Sequence, residues 1–242
     1  MEIHGKVAIV TGGAVRLGKA LALALARDGA RVAIHYAFSS GPAEETVAEI
    51  HTLGSEALAL QADLAVPGQA ALVVERAVTH FGRADVLVNS AAIFEHGGWD
   101  DTTEANWDRH FAINLKAPFF LSQAFARHVG RERPAHIVNI ADWRALCPGA
   151  DHIAYTLAKA GLIAMTKSLA QALAPNIQVN AIAPGLILPP PGQDDAYLER
   201  LAATIPARRV GSPAEVAKAL LFLLQSDFVT GDVILVTGGQ HL

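Results

Sequence analysis

The stretch VAIVTGGAVRLG, residues Val7–Gly18, joins a short apolar run to an amphipathic segment through a glycine-rich turn. Glycines at such a turn let the backbone approach a pyrophosphate, which lies at the positive end of the helix that follows. Here the turn comes after the first predicted strand, Val7–Thr11, and opens the first predicted helix, Leu17–Asp28. This context predicts a dinucleotide-binding site that includes Gly12 and Gly18.

Short apolar runs alternate with amphipathic stretches from one end of the chain to the other. This alternation is typical of a parallel sheet covered by helices on both faces. We therefore predict an α/β fold: a single Rossmann domain over residues 1–242, with a doubly wound sheet of seven parallel strands. The predicted strands are Val7–Thr11, Val32–Tyr36, Ala57–Gln61, Val86–Asn89, His136–Ile140, Ile177–Ile182 and Val233–Val236. The predicted helices are Leu17–Asp28, Pro42–Leu53, Gly68–Phe81, Glu104–Val129, Ile153–Leu173 and Pro213–Gln225, with a short one near Ala196–Ala203.

The composition fits one large domain that acts on a small molecule. Of the 242 residues, 52% are hydrophobic and 17% are charged, and the mean hydropathy is +0.30. This hydropathy is high for a soluble monomer, and it indicates apolar surface between subunits or a parallel sheet covered on both faces. The net charge of −4 and the pI near 6.2 argue against nucleic acid as a partner, since there is no basic stripe to neutralise phosphates.

Several kinds of site and location are not expected. The single cysteine, Cys147, excludes an internal disulfide and a cysteine-based metal cage. The ten histidines show no metal-ligand spacing, so we predict no metal. The start of the chain lacks the apolar core of a signal peptide, and no apolar run approaches the ~18 residues that cross a bilayer. We therefore predict a soluble, cytoplasmic protein with no membrane partner.

Tyr155 and Lys159 form the pair best suited to proton transfer. Spaced i, i+4 in the predicted helix Ile153–Leu173, they would lie on one helix face with Cβ atoms roughly 5–6 Å apart. An ammonium there would favour the phenolate and lower the tyrosine pKa from about 10. Tyr155 is then a candidate proton donor to a developing alkoxide or amine. A solvated surface pair is the alternative interpretation of this spacing alone.

The end of the second strand predicts which nicotinamide cofactor binds. NAD enzymes usually carry Asp or Glu there to bind the ribose 2′-hydroxyl. This chain has no acid between His35 and Ser40. A 2′-phosphate would instead meet Ser39 and Ser40, with His35 and Arg16 as further candidates. We therefore predict NADP(H) in preference to NAD.

An arginine within the glycine-rich turn is unusual. Arg16 occupies a position where this type of loop has a glycine. Its guanidinium can bind a phosphate, or a carbonyl or ring nitrogen of a substrate that lies over the cofactor. A solvent-facing arginine is the alternative, but the helix dipole disfavours a positive charge at this end. The sequence therefore favours an anionic partner for Arg16.

Together these residues resemble the short-chain dehydrogenase/reductase family across nearly the whole chain. Six ordered motifs carry the resemblance: Thr11-Gly12…Gly18, Asp63-Leu64, Asn89-Ser90-Ala91-Ala92, Asn114, Tyr155…Lys159 and Pro184-Gly185. The resemblance implies that Asp63 and Leu64 flank the adenine. It also places Asn89 and Ala91 on the ribose side and the backbone of 184–187 at the nicotinamide. The implied cofactor-binding set is Gly12, Arg16, Leu17, Gly18, His35, Tyr36, Ser39, Ser40, Asp63, Leu64, Asn89, Ser90, Ala91, Tyr155, Lys159, Pro184, Gly185 and Ile187.

Within the family, three features resemble the pteridine reductases, including the bacterial dihydromonapterin reductase type. Arg16 lies in the glycine loop, Asp142 stands where most members carry the catalytic serine, and Phe94 is where an aromatic ring stacks on the pterin. Two positions depart from that pattern: Phe38 replaces an arginine that helps bind the 2′-phosphate in some of these enzymes, and Ala92 replaces a serine that touches the pterin. The resemblance implies that Arg16, Phe94, Asp142 and Tyr155 bind substrate. It implies a catalytic set of Asp142, Tyr155, Lys159 and Asn114, in which Asn114 supports a proton relay through Lys159.

A carboxylate in place of the serine suits the reduction of a pterin. The ring is reduced at C=N, where the nitrogen must be protonated, and its aminopyrimidine edge offers N–H donors. Asp142 can accept from those donors and, with its pKa raised by burial, deliver a proton. Alternatively, Asp142 marks a site that has lost its serine and its activity. Phe94 taken alone is equally well interpreted as a core residue after the strand Val86–Asn89.

A proline-rich run, Pro189–Asp195, follows the sixth predicted strand. A substrate lid is expected past the carboxyl end of a strand, so we predict a substrate loop at about residues 186–205, with a simple surface insertion as the alternative. Trp143 and Cys147 are expected to line or border this region, and Cys147 has no basic partner that would make it a nucleophile. His152 is interpreted as a cap or loop residue.

These observations predict an NADPH-dependent reductase that transfers hydride to a dihydropterin-type small molecule. The alternatives are a carbonyl reductase of the same fold, acting on a 3-oxoacyl thioester, sugar or ketone, and a non-catalytic NADP(H)-binding sensor. The family resemblance further implies a homotetramer built by pairing the long helices Glu104–Val129 and Ile153–Leu173.

Overall fold

Seven parallel strands form one sheet in the computed structural model, which describes residues 1–130, 133–190 and 192–242. The strand order is β3-β2-β1-β4-β5-β6-β7. Pro191, in the predicted substrate loop, lies outside the described residues. The strands are β1 (Val7–Val10), β2 (Arg31–Tyr36), β3 (Ala57–Gln61), β4 (Val86–Asn89), β5 (Ala135–Ile140), β6 (Ile177–Pro184) and β7 (Val233–Val236). The predicted fold class is confirmed, and each strand lies within two residues of its predicted ends.

Helices cover both faces of this sheet. They are α1 (Arg16–Arg27), α2 (Ser40–Thr52), α3 (Gln69–Phe81), α4 (Glu104–Phe111), α5 (Ala117–Val129), α6 (Ile153–Leu173), α7 (Asp195–Ala202) and α8 (Pro213–Gln225). Residues of α1, α2 and α8 share one apolar core, and residues of α3 and α5 share the core on the opposite face.

Strand β1 shows why polar and apolar residues do not alternate along the central strands. Ala8 and Val10 pack into the core with α1 and α8, whereas Val7 and Ile9 pack into the core with α3 and α5. Successive side chains of a strand point to opposite faces, so a strand between two helical layers is apolar at every position. All four residues of β1 are fully buried.

The predicted continuous helix Glu104–Val129 is wrong in its middle. A π-helical turn, Ala112–Lys116, separates α4 from α5. Pro118 occupies the first turn of α5 and has no N–H to donate to the carbonyl four residues before it, which favours this wider turn. The turn directs the buried Asn114 side chain to the backbone of Ile93, where it donates to the carbonyl (2.9 Å) and accepts from the N–H (3.0 Å).

The strand order reverses between β1 and β4, which lie side by side at the centre of the sheet. The chain therefore leaves these two strands in opposite directions, and a crevice forms at their carboxyl ends. The glycine-rich turn follows β1, Ser90 follows β4 and Asp142 closely follows β5. Parallel pairing brings these distant segments to the same edge of the sheet.

Candidate active site

Two adjoining cavities open at the carboxyl edge of the sheet. The first has a volume of about 310 Å³ and the second, beside α7, about 330 Å³. Arg16, Asp142 and Tyr155 line both cavities, so they stand at the boundary between them. The predicted cofactor residues that line the first cavity are Gly12, Arg16, Leu17, Gly18, Ser90, Ala91, Tyr155, Lys159, Pro184, Gly185 and Ile187. All four predicted substrate residues, Arg16, Phe94, Asp142 and Tyr155, line the second.

The glycine-rich turn has no room for side chains at two positions. A Cβ at Gly18 would lie 2.1 Å from the Gly12 carbonyl oxygen. Gly12 has φ +64°, and a Cβ there would lie 2.9 Å from Ala91 Cα. Thr11 fixes the neighbouring loop, because its Oγ1 accepts from the N–H groups of Ser90 and Ala91, both at 3.0 Å. The result is a cradle of bare backbone at the start of α1, which fits a pyrophosphate.

Arg16 crosses from the glycine-rich turn to the substrate loop. Its φ of 53° is in the left-handed region, which is unusual for a side chain other than glycine. The exposed guanidinium donates a hydrogen bond to the Pro189 carbonyl oxygen. Arg16 thereby places a positive charge where the two cavities meet. An anion in either cavity would compete with that carbonyl for the guanidinium.

Two predicted cofactor contacts point into the protein. His35 is buried and bonded at both ring nitrogens, accepting from Gly12 N (3.3 Å) and lying 2.9 Å from the Ala62 carbonyl oxygen. Burial lowers the pKa of His35, so the ring is neutral and supports the glycine loop from below. Asn89 is buried as well, and its Nδ2 donates to Asn139 Oδ1 on the neighbouring strand (2.8 Å). The prediction that the His35 side chain meets a 2′-phosphate is corrected, and any ribose contact at Asn89 is left to its backbone.

The remaining predicted cofactor residues lie on the β2 and β3 side of the crevice, beyond the first cavity. Ser39 and Ser40 stand at the start of α2, and Tyr36 ends β2. Asp63 accepts from Ala65 N (2.9 Å) and caps its own turn, while Leu64 is buried. Phe38 is 84% exposed beside the two serines. The hydroxyl and backbone N–H groups of Ser39 and Ser40 are therefore the donors available to a 2′-phosphate, in place of the positive charge that an arginine at position 38 would provide.

The pKa of Tyr155 is raised, which is contrary to the lowering predicted from the neighbouring Lys159. Lys159 is buried, and its Nζ donates to the Ile140 carbonyl oxygen (2.6 Å). Burial lowers the pKa of Lys159 to about 8. Burial, together with the charge of Asp142, raises the pKa of Tyr155 well above its usual range. Because both groups are removed from water, the charged form of each is disfavoured, and Tyr155 remains a phenol.

Asp142 is the partner of the Tyr155 hydroxyl. That hydroxyl donates to Asp142 Oδ2 (2.7 Å), while Oδ1 accepts from Arg144 N (2.8 Å) at a short 3₁₀ turn, Trp143–Ala145. Burial raises the pKa of Asp142, although these hydrogen bonds and the charge of Lys159 act in the opposite direction. The pair therefore brings together a phenol and a carboxyl group that holds its proton to higher pH than an exposed aspartate.

Phe94 is already partly covered within the second cavity. The His152 ring stacks on Phe94 at 4.0 Å between centroids, and the Tyr155 ring meets it edge-on at 4.7 Å. His152 Nδ1 donates to the Asp151 carboxylate (2.9 Å), which also accepts from Arg144 (2.7 Å). A substrate ring can stack on Phe94 only on the side away from His152. His152 therefore shapes the site, a role that its position in the sequence did not indicate.

Three residues with polar side chains line the second cavity without having been predicted as binding residues from sequence: Arg144, Tyr197 and Gln240. Trp143 lines it as predicted, whereas Cys147 donates to the carbonyl oxygen of His241 (3.3 Å). Arg144 belongs to no motif, and Gln240 lies in the tail Gly238–Leu242, which resembles the pteridine reductases but to which the sequence assigns no binding role. Only their place in the fold brings them to the site.

Among the residues that the structure describes, no helix is both long enough and apolar enough to cross a membrane. In those same ranges, no group of three or more His, Cys, Asp or Glu side chains is arranged to hold a metal ion.

Comparisons with known proteins agree with this geometry. A family model described as enoyl-(acyl carrier protein) reductase matches residues 13–241. The chain is 36% identical to an L-rhamnose 1-dehydrogenase (NAD(P)(+)) from Sphingomonas sp., over 99% of this chain and 98% of that protein.

Two solved structures extend the comparison. FolM alternative dihydrofolate reductase 1 from Brucella suis, in complex with NADP, has a TM-score of 0.94 and 36% identity, covering 100% of this chain and 96% of that one. A short-chain dehydrogenase/reductase from Serratia marcescens has a TM-score of 0.93 and 32% identity, with 100% of both chains covered. The fold, the paired Tyr155 and Lys159, and these matches together show that the chain belongs to the short-chain dehydrogenase/reductase family of oxidoreductases.

Proposed function

We propose that this protein is an NADP(H)-dependent reductase of a dihydropterin-type ring. One observation carries the proposal: Tyr155 donates to the half-buried Asp142 (2.7 Å) in the lining of a cavity that Arg16 and Phe94 also line. This is the combination of groups that a flat ring with a polar edge and a basic ring nitrogen requires.

The first cavity fits NADP(H). The bare backbone of Gly12 and Gly18 and the start of α1 would hold the pyrophosphate. Ser39 and Ser40 would bind the 2′-phosphate, and Pro184, Gly185 and Ile187 would border the nicotinamide. The cofactor supplies a hydride when bound. The NADP complex of the Brucella protein supports this choice of nucleotide.

Asp142 is the proton source in this proposal. Its raised pKa keeps a larger share of the carboxyl protonated than in an exposed aspartate. Oδ1 is held by Arg144 N, which leaves Oδ2, beside the Tyr155 hydroxyl, to face a ring nitrogen. Tyr155 remains a phenol and orients this oxygen. Asn114 fixes the Ile93 backbone ahead of Phe94, so its part here is to position the Phe94 loop.

Arg16 and Phe94 would hold the substrate ring. The free side of Phe94 offers an apolar surface for stacking, and Tyr155 and His152 set its tilt. Arg16 would exchange its bond to the Pro189 carbonyl for a carbonyl or anionic edge of the substrate. This exchange would couple substrate binding to the conformation of the substrate loop.

NADPH consumption tests the proposal directly. The purified protein is assayed with dihydrobiopterin, dihydromonapterin and dihydrofolate, beside a panel of ketones, sugars and 3-oxoacyl thioesters. We expect turnover of at least one dihydropterin, lost in Asp142→Ser. Turnover of carbonyl compounds alone, retained or increased in Asp142→Ser, would contradict the proposal.

A carbonyl reductase is the second candidate. It is favoured by the 36% identity to an L-rhamnose 1-dehydrogenase and by the buried pair Tyr155 and Lys159. Against it, the Tyr155 hydroxyl is already bonded to Asp142, whereas a carbonyl substrate needs that hydroxyl to donate to its own oxygen. The same panel distinguishes it, and a protein that binds NADPH but turns over nothing would be the sensor.

The assembly we propose is a homotetramer. An apolar groove of about 730 Å³ lies between α4, α5 and α6, lined by Phe111, Leu115, Phe119, Phe120 and Met165 among others. Phe120 is 43% exposed there, and Leu157 on α6 is 45% exposed. Several exposed apolar side chains clustered on one surface, as here, are typical of a surface that a second copy of the chain covers.

A further inference from the structure

The C-terminal turn brings a side-chain amide into the second cavity. Gln240 lines this cavity together with Arg16, Asp142 and Tyr155. Its Oε1 is buried and has no hydrogen-bond partner within the described part of the chain. A buried carbonyl oxygen without a donor is unfavourable, so an oxygen left in this state beside a binding cavity points to a donor on the ligand.

The protein holds this amide in place through the turn on either side of it. Gln240 N donates to the Thr237 carbonyl (3.2 Å), and Thr237 Oγ1 is 2.7 Å from His241 Nδ1. Cys147 Sγ donates to the His241 carbonyl (3.3 Å), which ties the turn to the loop that carries Asp142. Ala207 N donates to the Gly238 carbonyl (2.9 Å), which ties it to the end of the substrate loop.

Gly185 makes room for the amide. A Cβ at Gly185 would lie 2.6 Å from Gln240 Oε1 and 3.0 Å from Thr237 Cα. The amide oxygen therefore lies close to the backbone where β6 ends, at a residue that borders both cavities. Gln240 lines only the second, so its amide group is on the substrate side of Gly185.

Asp142 already accepts hydrogen bonds from within the protein. One of its oxygens accepts from Arg144 N and the other from the Tyr155 hydroxyl. Each oxygen keeps a further lone pair, but Asp142 is also the proton source of the proposed function, so a ring that presents two or more N–H groups gains from a second acceptor in the cavity. Gln240 Oε1 is the buried side-chain oxygen that stands free for it in the described residues lining this cavity.

We propose that Gln240 determines substrate specificity, with Oε1 accepting a hydrogen bond from an N–H group on the polar edge of the ring substrate. The inference rests on the proposed function and specifies the substrate group that Gln240 recognises, which is an N–H. A ketone or sugar has no such N–H, and its binding would leave the oxygen unpaired. Sites built to hydrogen-bond a donor discriminate strongly against analogues that lack it.

The test compares two substitutions at Gln240 with one elsewhere. Gln240→Met keeps the shape of the side chain and removes the acceptor, whereas Gln240→Glu keeps an acceptor. Gln225→Met makes the same chemical change at an exposed position at the end of α8. For each, kcat and KM are measured for a dihydropterin and for NADPH, with the dissociation constant of an oxidised pterin and the thermal midpoint.

We expect Gln240→Met to raise the KM for the dihydropterin about tenfold or more, with the KM for NADPH within about twofold of wild type. Gln240→Glu should stay within about threefold, and Gln225→Met should match wild type. Unchanged dihydropterin kinetics in Gln240→Met would overturn this inference alone. So would equal losses in the Met and Glu variants accompanied by a lower thermal midpoint. A wild-type protein that reduces ketones and no dihydropterin overturns both this inference and the proposed function.

Discussion

The Tyr155 hydroxyl donates to Asp142 Oδ2 across 2.7 Å, and the Lys159 ammonium donates instead to the Ile140 carbonyl oxygen. In this arrangement the phenol proton is directed at a carboxyl group. Burial raises the pKa of both members of the pair. The two residues therefore act together, with the carboxyl as the stronger acid.

Tyr155→Phe should remove the group that orients Asp142. We expect kcat for the dihydropterin to fall by about 10- to 10²-fold, since a misplaced Asp142 loses part of the 10²–10⁴-fold that general acid catalysis contributes. The hydrogen bond from Tyr155 lowers the pKa of Asp142, so its loss raises that pKa and extends the remaining activity to higher pH. The pH profile of kcat checks this. A profile unchanged in position would mean that Asp142 is not the acid.

NADPH should bind more weakly at alkaline pH, where Lys159 loses its positive charge. Its pKa of about 8 means that it is an ammonium below that pH and neutral above it. If the ammonium contributes to NADPH binding, the dissociation constant rises as pH passes 8. The charge of Asp142 raises the pKa of Lys159, so Asp142→Asn should move this rise to lower pH. NADPH fluorescence titrations from about pH 6 to about pH 10 measure the rise in both proteins. A rise near pH 10 in the wild type would contradict the prediction.

Gly18→Ala should disrupt the pyrophosphate cradle. The added Cβ would lie 2.1 Å from the Gly12 carbonyl oxygen, so the turn must move. We expect the affinity for NADPH to fall at least about tenfold, together with a lower thermal midpoint. Gly41→Ala is the matched control, because nothing lies within 4 Å of its Cβ position in α2 and alanine is the better helix former. Equal effects of the two substitutions would rule out a specific role for the cradle.

His136 should make the fold sensitive to acid. The ring is 1% exposed, neither nitrogen has a partner among the described residues, and burial lowers its pKa to about 4. The N-terminal ammonium also lowers this pKa, and Asp227 raises it. Between pH 6.5 and about 4 the unfolded chain binds a proton that the folded chain does not, so stability falls as pH falls through this window.

The contribution of His136 is on the order of 3 kcal/mol when the window is crossed completely. His136→Leu should remove most of this pH dependence, as measured by urea unfolding at pH values across the window. His51→Leu, on the exposed face of α2, is the control. If the slope of unfolding free energy against pH were the same in wild type and His136→Leu, other groups would be responsible.

Phe120→Glu should dissociate the proposed tetramer. The side chain lies in the apolar groove between α5 and α6, and burying a charge there without a partner is costly. We expect light scattering to report a smaller species for this variant. Leu53→Glu, at a similarly exposed position after α2, should leave the assembly intact. A wild-type protein that is monomeric would refute the proposal outright.

The elements of the fold were largely predictable because each carries its own pattern. The fully apolar β1, the glycine-rich turn and the helix at Ile153–Leu173 appear where the sequence places them. The π-helical turn at Ala112–Lys116 was missed, since the helical pattern continues through it and the contact that it serves, between Asn114 and the backbone of Ile93, joins two separate segments. Gln240 was missed as a binding residue for the same reason.

By itself the sequence determined the kind of fold, and it predicted which groups react. The hydrophobic periodicity, the glycine spacing and the order of Arg16, Asp142 and Tyr155 are properties of the chain alone. Only the tertiary structure decided how those groups behave. Protonation depends on burial and on neighbours that come from other segments of the chain. Lys159, four residues from Tyr155, donates to the Ile140 carbonyl, and the Tyr155 hydroxyl donates to Asp142. Spacing along a helix fixes which side chains share a face, and the surrounding protein fixes which of them meet.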